Sequence, residues 1–335
     1  MRKLVLLLVF LLLGCSTLAT PAALPTAGDV KPTANVITPI SLPTQTLTPY
    51  EQYTIDYQHK RTYGGGRIEV LQTLADTDAF TGYAIRYPSD GLNIYGFMTI
   101  PKGTGPFPVI VSLHAYAPPG TYDPFNVESD FADFFSVNQF IVVHPEMRNQ
   151  PPSDSGDNLL RVGMTTDVMN LVALLKARND LPAELSSANT DQLGLWGMSL
   201  GGEIALRVIT LSPDIKATVL YSALSGDEKL NSEQLSIVLQ DAQFQQDAQL
   251  PLEMFDRVSP MYYYNRVTSV VQLNHGLNDK TVPISWAVKT CDFLQAAGVS
   301  VQCIYYPEVG HVFGGDIREK MKQNALEFYQ AHLLQ

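Results

Sequence analysis

The sequence predicts an α/β protein, with a mostly parallel central sheet and helices on both faces. Three observations carry this. Short continuous apolar runs, at residues 108–113, 140–143, 217–221 and 269–273, read as strands buried on both faces. Helical patterns stand between them, such as Val168, Leu171, Val172 and Leu175 at i, i+3, i+4 and i+7. The apolar run ending at Trp196 passes through Gly197-Met198-Ser199-Leu200-Gly201 into a second helical pattern of Ile204, Ala205, Val208 and Ile209. That is a strand, a sharp turn and a helix.

At 335 residues and 45% hydrophobic content, the chain suffices for one large domain or two small ones. A formal net charge of −11 argues against nucleic acid as the main partner. The chain opens with a targeting segment. Met1-Arg2-Lys3 is basic, and residues 4–13 are apolar. That run is too short for a relaxed membrane span of about 20 residues and suits a secretory signal. Leu12-Leu13-Gly14-Cys15 resembles a bacterial lipobox. The likeness implies a signal peptide over residues 1–14, lipid on Cys15 and an exported, membrane-anchored lipoprotein. An ordinary signal cut elsewhere, or an uncut anchor, is the alternative.

Residues 15–50 are rich in Thr, Pro and Ala and read as an extended tether. The folded domain is expected over residues 51–335. Residues 67–74, 79–87 and 92–100 read as strands, the second and third as an antiparallel hairpin turned at Ser89-Asp90-Gly91. Phe131, Phe134 and Phe135 mark a short helix. Residues 284–297 form a helix stopped by Gly298, residues 301–306 the last strand, and residues 321–334 a closing helix. Residues 226–265 are longer than an ordinary strand–helix connection; their pattern at residues 235–255 is helical. Cys291 lies on a helix and Cys303 on the strand after it, so they are either bridged or two small buried residues.

Ser199 is the candidate nucleophile. The turn lifts its hydroxyl out of the backbone, and the helix behind it offers free N–H groups, that of Leu200 first, to a developing oxyanion. Three further segments follow strands. They are His114-Ala115-Tyr116, the run His275-Gly276-Leu277-Asn278-Asp279 ending in Val282-Pro283, and Gly310-His311. With Ser199 they resemble, in the right order over residues 79–335, the prolyl-oligopeptidase-like and dienelactone-hydrolase-like serine hydrolases of the α/β-hydrolase superfamily.

The resemblance implies an α/β-hydrolase fold, with N-terminal antiparallel strands and residues 226–265 as a small helical cap. It makes Asp279 the acid that orients His311, and His311 the base for Ser199. By position, the N–H of Tyr116 is the second oxyanion donor. Arg148 falls where relatives carry an arginine over the substrate, although a loop salt bridge serves it equally well. Tyr263, with Tyr262 and Tyr264, either lines the acyl pocket or packs the helix. His114 and His275 are expected to be structural, and Glu308 is the weaker candidate for the acid. No metal or organic cofactor is implied. The expected activity is hydrolysis of a small ester, since no large N-terminal propeller precedes the domain. Cleavage of short peptides is the first alternative, and a non-catalytic binding lipoprotein the second.

Overall fold

The computed structural model describes residues 49–118, 129–239 and 242–334. Cys15, the signal segment and nearly all of the tether lie outside them. Among the described residues no helix is long and apolar enough to cross a membrane.

Nine strands lie in one sheet. They are β1 (Glu69–Asp76), β2 (Phe80–Ser89), β3 (Leu92–Pro101), β4 (Phe107–Leu113), β5 (Ile141–Pro145), β6 (Ala188–Met198), β7 (Ile215–Tyr221), β8 (Val270–Gly276) and β9 (Val301–Tyr306). Their order is β1-β2-β3-β5-β4-β6-β7-β8-β9. The first three are antiparallel, as is the β3–β5 pair, and every later pair is parallel. Ser89 pairs with Leu92, which leaves Asp90 and Gly91 as a two-residue turn with φ of 49° and 84°. Both angles suit the twist of a tight hairpin, and Asp-Gly is the dipeptide that tolerates them.

The helices are α1 (Ile55–Lys60), α2 (Ser129–Val137), α3 (Val162–Lys176), α4 (Leu200–Leu211), α5 (Glu228–Val238), α6 (Ala242–Asp247), α7 (Leu252–Val258), α8 (Ile284–Ala296) and α9 (Gly315–Leu333). Alternate residues of each central strand serve opposite faces. Val109, Val111 and Leu195 join Leu171 of α3, Ile204 of α4 and Leu294 of α8 in one core. Ile110, Val142 and Trp196 join Phe131 of α2 and Met321 and Tyr329 of α9 in the other. The continuous apolar runs therefore feed two cores at once. Cys291 of α8 and Cys303 of β9 are bridged, with their Cα atoms 6.5 Å apart.

Two elements differ from the sequence-based expectation. Helix α9 begins at Gly315 rather than at residue 321, because its first turns are polar and carry no apolar stripe. Helix α1, capped by Thr54 accepting the Tyr57 amide, is too short to show a period. The cap expected at residues 226–265 is helical, as α5, α6, α7 and a 3-10 turn at Pro260–Arg266.

Candidate active site

Ser199 stands between β6 and α4 with φ 51° and ψ −111°, a conformation that costs an L-residue energy. The surroundings hold it there. Its N–H donates to the Tyr221 carbonyl at 3.0 Å, and its own carbonyl accepts the Gly202 and Leu224 amides, each at 3.0 Å. A Cβ on Gly201 would lie 2.2 Å from the Leu113 carbonyl oxygen, and one on Gly197 would lie 2.5 Å from that of Gly201. Only glycine allows strand and helix so close.

Asp279 follows β8, and His311 follows β9. The Asp279 Oδ1 accepts the Thr281 and Val282 amides, each at 2.8 Å. Its Oδ2 lies 2.8 Å from His311 Nδ1, and His311 Nε2 lies 3.0 Å from Ser199 Oγ. The carboxylate thus fixes the tautomer in which Nδ1 carries the proton and Nε2 accepts from the serine hydroxyl. The two loops are joined by the Asn278 amide donating to the Val309 carbonyl at 2.9 Å. A Cβ on Gly276 would meet the Gly310 carbonyl oxygen at 2.4 Å, so a side chain there would force the loops apart. Burial pushes the Asp279 carboxyl up, but the bonds from His311, Val282 and Thr281 outweigh it and hold the group below the ordinary carboxylate range. Asp279→Asn is expected to lower kcat by about 10⁴-fold, because the amide leaves His311 free to take the wrong tautomer. Steady-state kinetics with KM nearly unchanged would check this.

The other histidines are placed as expected. Buried His275 sits under the acid loop, its Nε2 3.0 Å from the Val282 carbonyl and 3.3 Å from Asp279 Oδ2. Buried His114 turns Nδ1 to the Ala115 carbonyl at 2.7 Å. Glu308 is exposed, and the carboxylate facing His311 belongs to Asp279.

Ser199 and His311 open on a cavity of about 410 Å³. Ala115, Tyr116 and Ala117 border it from the loop after β4; Leu235, Val238 and Leu239 border it from the cap. Leu200 opens α4, where the first amides have no intrahelical acceptor.

Of the two alternatives left open for Arg148 and for Tyr263, neither residue takes the one that lines this cavity. Arg148 is buried away from this cavity, its guanidinium 2.7 Å from Asp167 Oδ1 and its Nη1 donating to the Asp157 carbonyl at 2.9 Å. Desolvating a guanidinium requires such a counter-ion, and its three nitrogens donate to Asp167 and the Asp157 carbonyl, away from the cavity. Tyr263 likewise does not border the cavity. Its ring lies under the Arg266 guanidinium, 4.7 Å from the ring centroid, in the Pro260–Arg266 turn. Tyr264 is buried, and Tyr262 is exposed.

Behind the nucleophile lies a cluster that the sequence did not announce. Arg161, Glu203, Arg207, Glu228 and Asp247 are all buried. Arg161 Nε donates to both Glu203 oxygens at 2.8 and 2.9 Å, its Nη2 to Glu228 at 2.5 Å and its Nη1 to Asp247 at 3.1 Å. Arg207 pairs with the second Glu228 oxygen and donates to Thr165 Oγ1 at 3.0 Å. Burial, against the pull of Arg207, pushes the Glu228 carboxyl up to about 8. The cluster joins cap helices α5 and α6 to α4, the helix that begins after Ser199. Its only sequence signal was Glu203 and Arg207 four apart on α4, a spacing that equally describes an exposed pair. Among the described residues no group of three or more His, Cys, Asp or Glu side chains is arranged to hold a metal ion.

Sheet order and serine turn are those of the α/β-hydrolase fold. Residues 156–335 match the model of the prolyl oligopeptidase family, and the chain belongs to that family. A protein of Escherichia coli (strain K12), named as a candidate carboxymethylenebutenolidase, is 25% identical over 252 residues, covering 72% of this chain and 80% of that one. Acetyl xylan esterase 1 from Thermoanaerobacterium sp. JW/SL YS485 superposes with a TM-score of 0.61 at 17% identity, over 84% of this chain and 94% of that one. The acylaminoacyl peptidase of Pyrococcus horikoshii gives 0.61 at 19% identity, over 77% of this chain but 42% of that longer chain. At these identities the two structures share the fold.

Proposed function

We propose that the chain hydrolyses a small, uncharged carboxylic ester through a covalent serine ester. The observation that carries this is the unbroken line from Asp279 through His311 to Ser199 Oγ, ending at a cavity. His311 Nε2 takes the Ser199 proton as Oγ attacks the ester carbonyl. Asp279 stabilises the imidazolium that results. The N–H groups of Leu200 and Tyr116 receive the oxyanion. His311 then protonates the departing alcohol, accepts a proton from water, and returns it to Ser199 as the acid leaves.

Cleavage of short peptides is the second reading, supported by the family and by the peptidase of similar fold. The cavity favours the ester. Among the described residues His311 and Tyr116 are its only titratable linings, so a peptide ammonium or carboxylate entering it finds no counter-ion. The names of the Escherichia coli and Thermoanaerobacterium proteins point the same way. We further propose export and anchoring through Cys15; the Cys291–Cys303 bridge is in keeping with an oxidising compartment.

The test is a fluorophosphonate probe on the full-length protein, beside turnover of p-nitrophenyl esters and aminoacyl p-nitroanilides. Labelling with ester turnover is the expected result. Preferential turnover of the anilides would move the assignment to the peptidase, and folded protein that neither labels nor turns over either substrate would overturn both.

A further inference from the structure

We propose that cap helix α5 makes this site selective for neutral esters with an apolar acyl chain longer than acetyl. The proposal rests on the ester-hydrolase reading above and names its substrate class. Leu235, Val238 and Leu239 follow the i, i+3, i+4 spacing of one face of that helix, and that face is a wall of the cavity beside Ser199. Leu224, Met198 and Val312 complete an apolar lining. Among the described residues the cavity's polar linings are Tyr116, Ser199, Gln234, Thr281 and His311, and Gln234 of α5 already donates to the Thr281 carbonyl at 3.4 Å.

The wall is set before substrate arrives. Asp227 caps α5, accepting the Lys229 and Leu230 amides at 3.2 and 3.3 Å. Glu228, the next residue, is locked into the buried cluster with Arg161 and Arg207. A pre-formed apolar wall favours each added methylene by burying it, and penalises a carboxylate, which it desolvates without a partner. An acetyl group leaves most of such a cavity unfilled.

The experiment compares p-nitrophenyl acetate, butyrate and hemisuccinate on the full-length protein and on Val238→Arg. Val238 is 45% exposed, so the longer side chain has solvent to reach into and the fold is not at stake. From acetate to butyrate kcat/KM is expected to rise about fourfold per methylene. Hemisuccinate should fall at least about tenfold below butyrate, and Val238→Arg should raise the hemisuccinate-to-butyrate ratio about tenfold. A second series, with alkyl acetates of increasing alcohol length, separates the acyl side from the alcohol side. Acetate turned over as well as butyrate, hemisuccinate equal to butyrate, an unchanged ratio in the variant, or a gain confined to the alkyl series would each overturn the proposal. Those results leave ester hydrolysis standing. Failure of Ser199 to label, or of every ester to turn over, removes the underlying reading instead.

Discussion

Ser199→Ala is expected to lower ester turnover by about 10⁶-fold and to abolish fluorophosphonate labelling, while the protein stays folded. The alanine removes only Oγ, whose sole recorded partner is His311 Nε2. The backbone remains in its unfavourable conformation, because the Tyr221, Gly202 and Leu224 hydrogen bonds that enforce it do not involve the side chain. Ser199→Gly gives the complementary result. It is equally inactive, but φ 51° with ψ −111° suits a residue without Cβ. Relief of about 1–3 kcal/mol of strain, less the entropy glycine adds to the unfolded chain, should leave it more stable than wild type. Urea denaturation of the three proteins checks this. A glycine variant no more stable than the alanine variant would mean that the turn stores no strain at Ser199.

Arg161→Ala is expected to cost about 3–5 kcal/mol, a large part of the stability of a domain. The loss is not that of one salt bridge. Arg161 touches Glu203, Glu228 and Asp247, and its removal leaves Glu203 and Glu228 with Arg207 and strips buried Asp247 of its cation. The same cluster sets a pH dependence. Burial raises the Glu228 carboxyl in the folded protein, whereas the unfolded chain releases its proton near the ordinary glutamate value. Between those limits the folded state binds more protons, so this group's contribution to stability falls as pH rises. Denaturation midpoints across that window should decline in wild type and flatten in Glu228→Gln. A wild type and a variant with parallel profiles would show that Glu228 is ionised in the fold throughout.

The central strands and the juxtaposition of Ser199, Asp279 and His311 were legible because each leaves a local mark. A strand buried on both faces is an unbroken apolar run, and a nucleophile turn needs glycines at fixed spacing about the serine. Asp279 and His311 follow strands and sit in short loops with their own glycines. What was not legible depends on distance. Arg161 and Asp247 stand 86 residues apart and meet only when the cap folds over α4. Arg148 looked available for substrate because nothing near it in sequence announces Asp167, 19 residues on, as its partner. Tyr263 stayed open for a related reason. A run of three tyrosines fits a pocket wall as well as a helical turn, and only Arg266 decides between them.

The strands that deliver the triad are not equally protected. Ser199 follows β6, which has a neighbour on each side, whereas His311 follows β9, which pairs with β8 alone. Sheets open first at their rims. Opening of that edge is therefore expected to displace His311 before the serine turn is lost. The Cys291–Cys303 bridge clamps β9 to α8 where that opening begins. Reducing it is expected to shorten the time for which Ser199 and His311 stay assembled under heat or denaturant, although neither sulfur lies in the site.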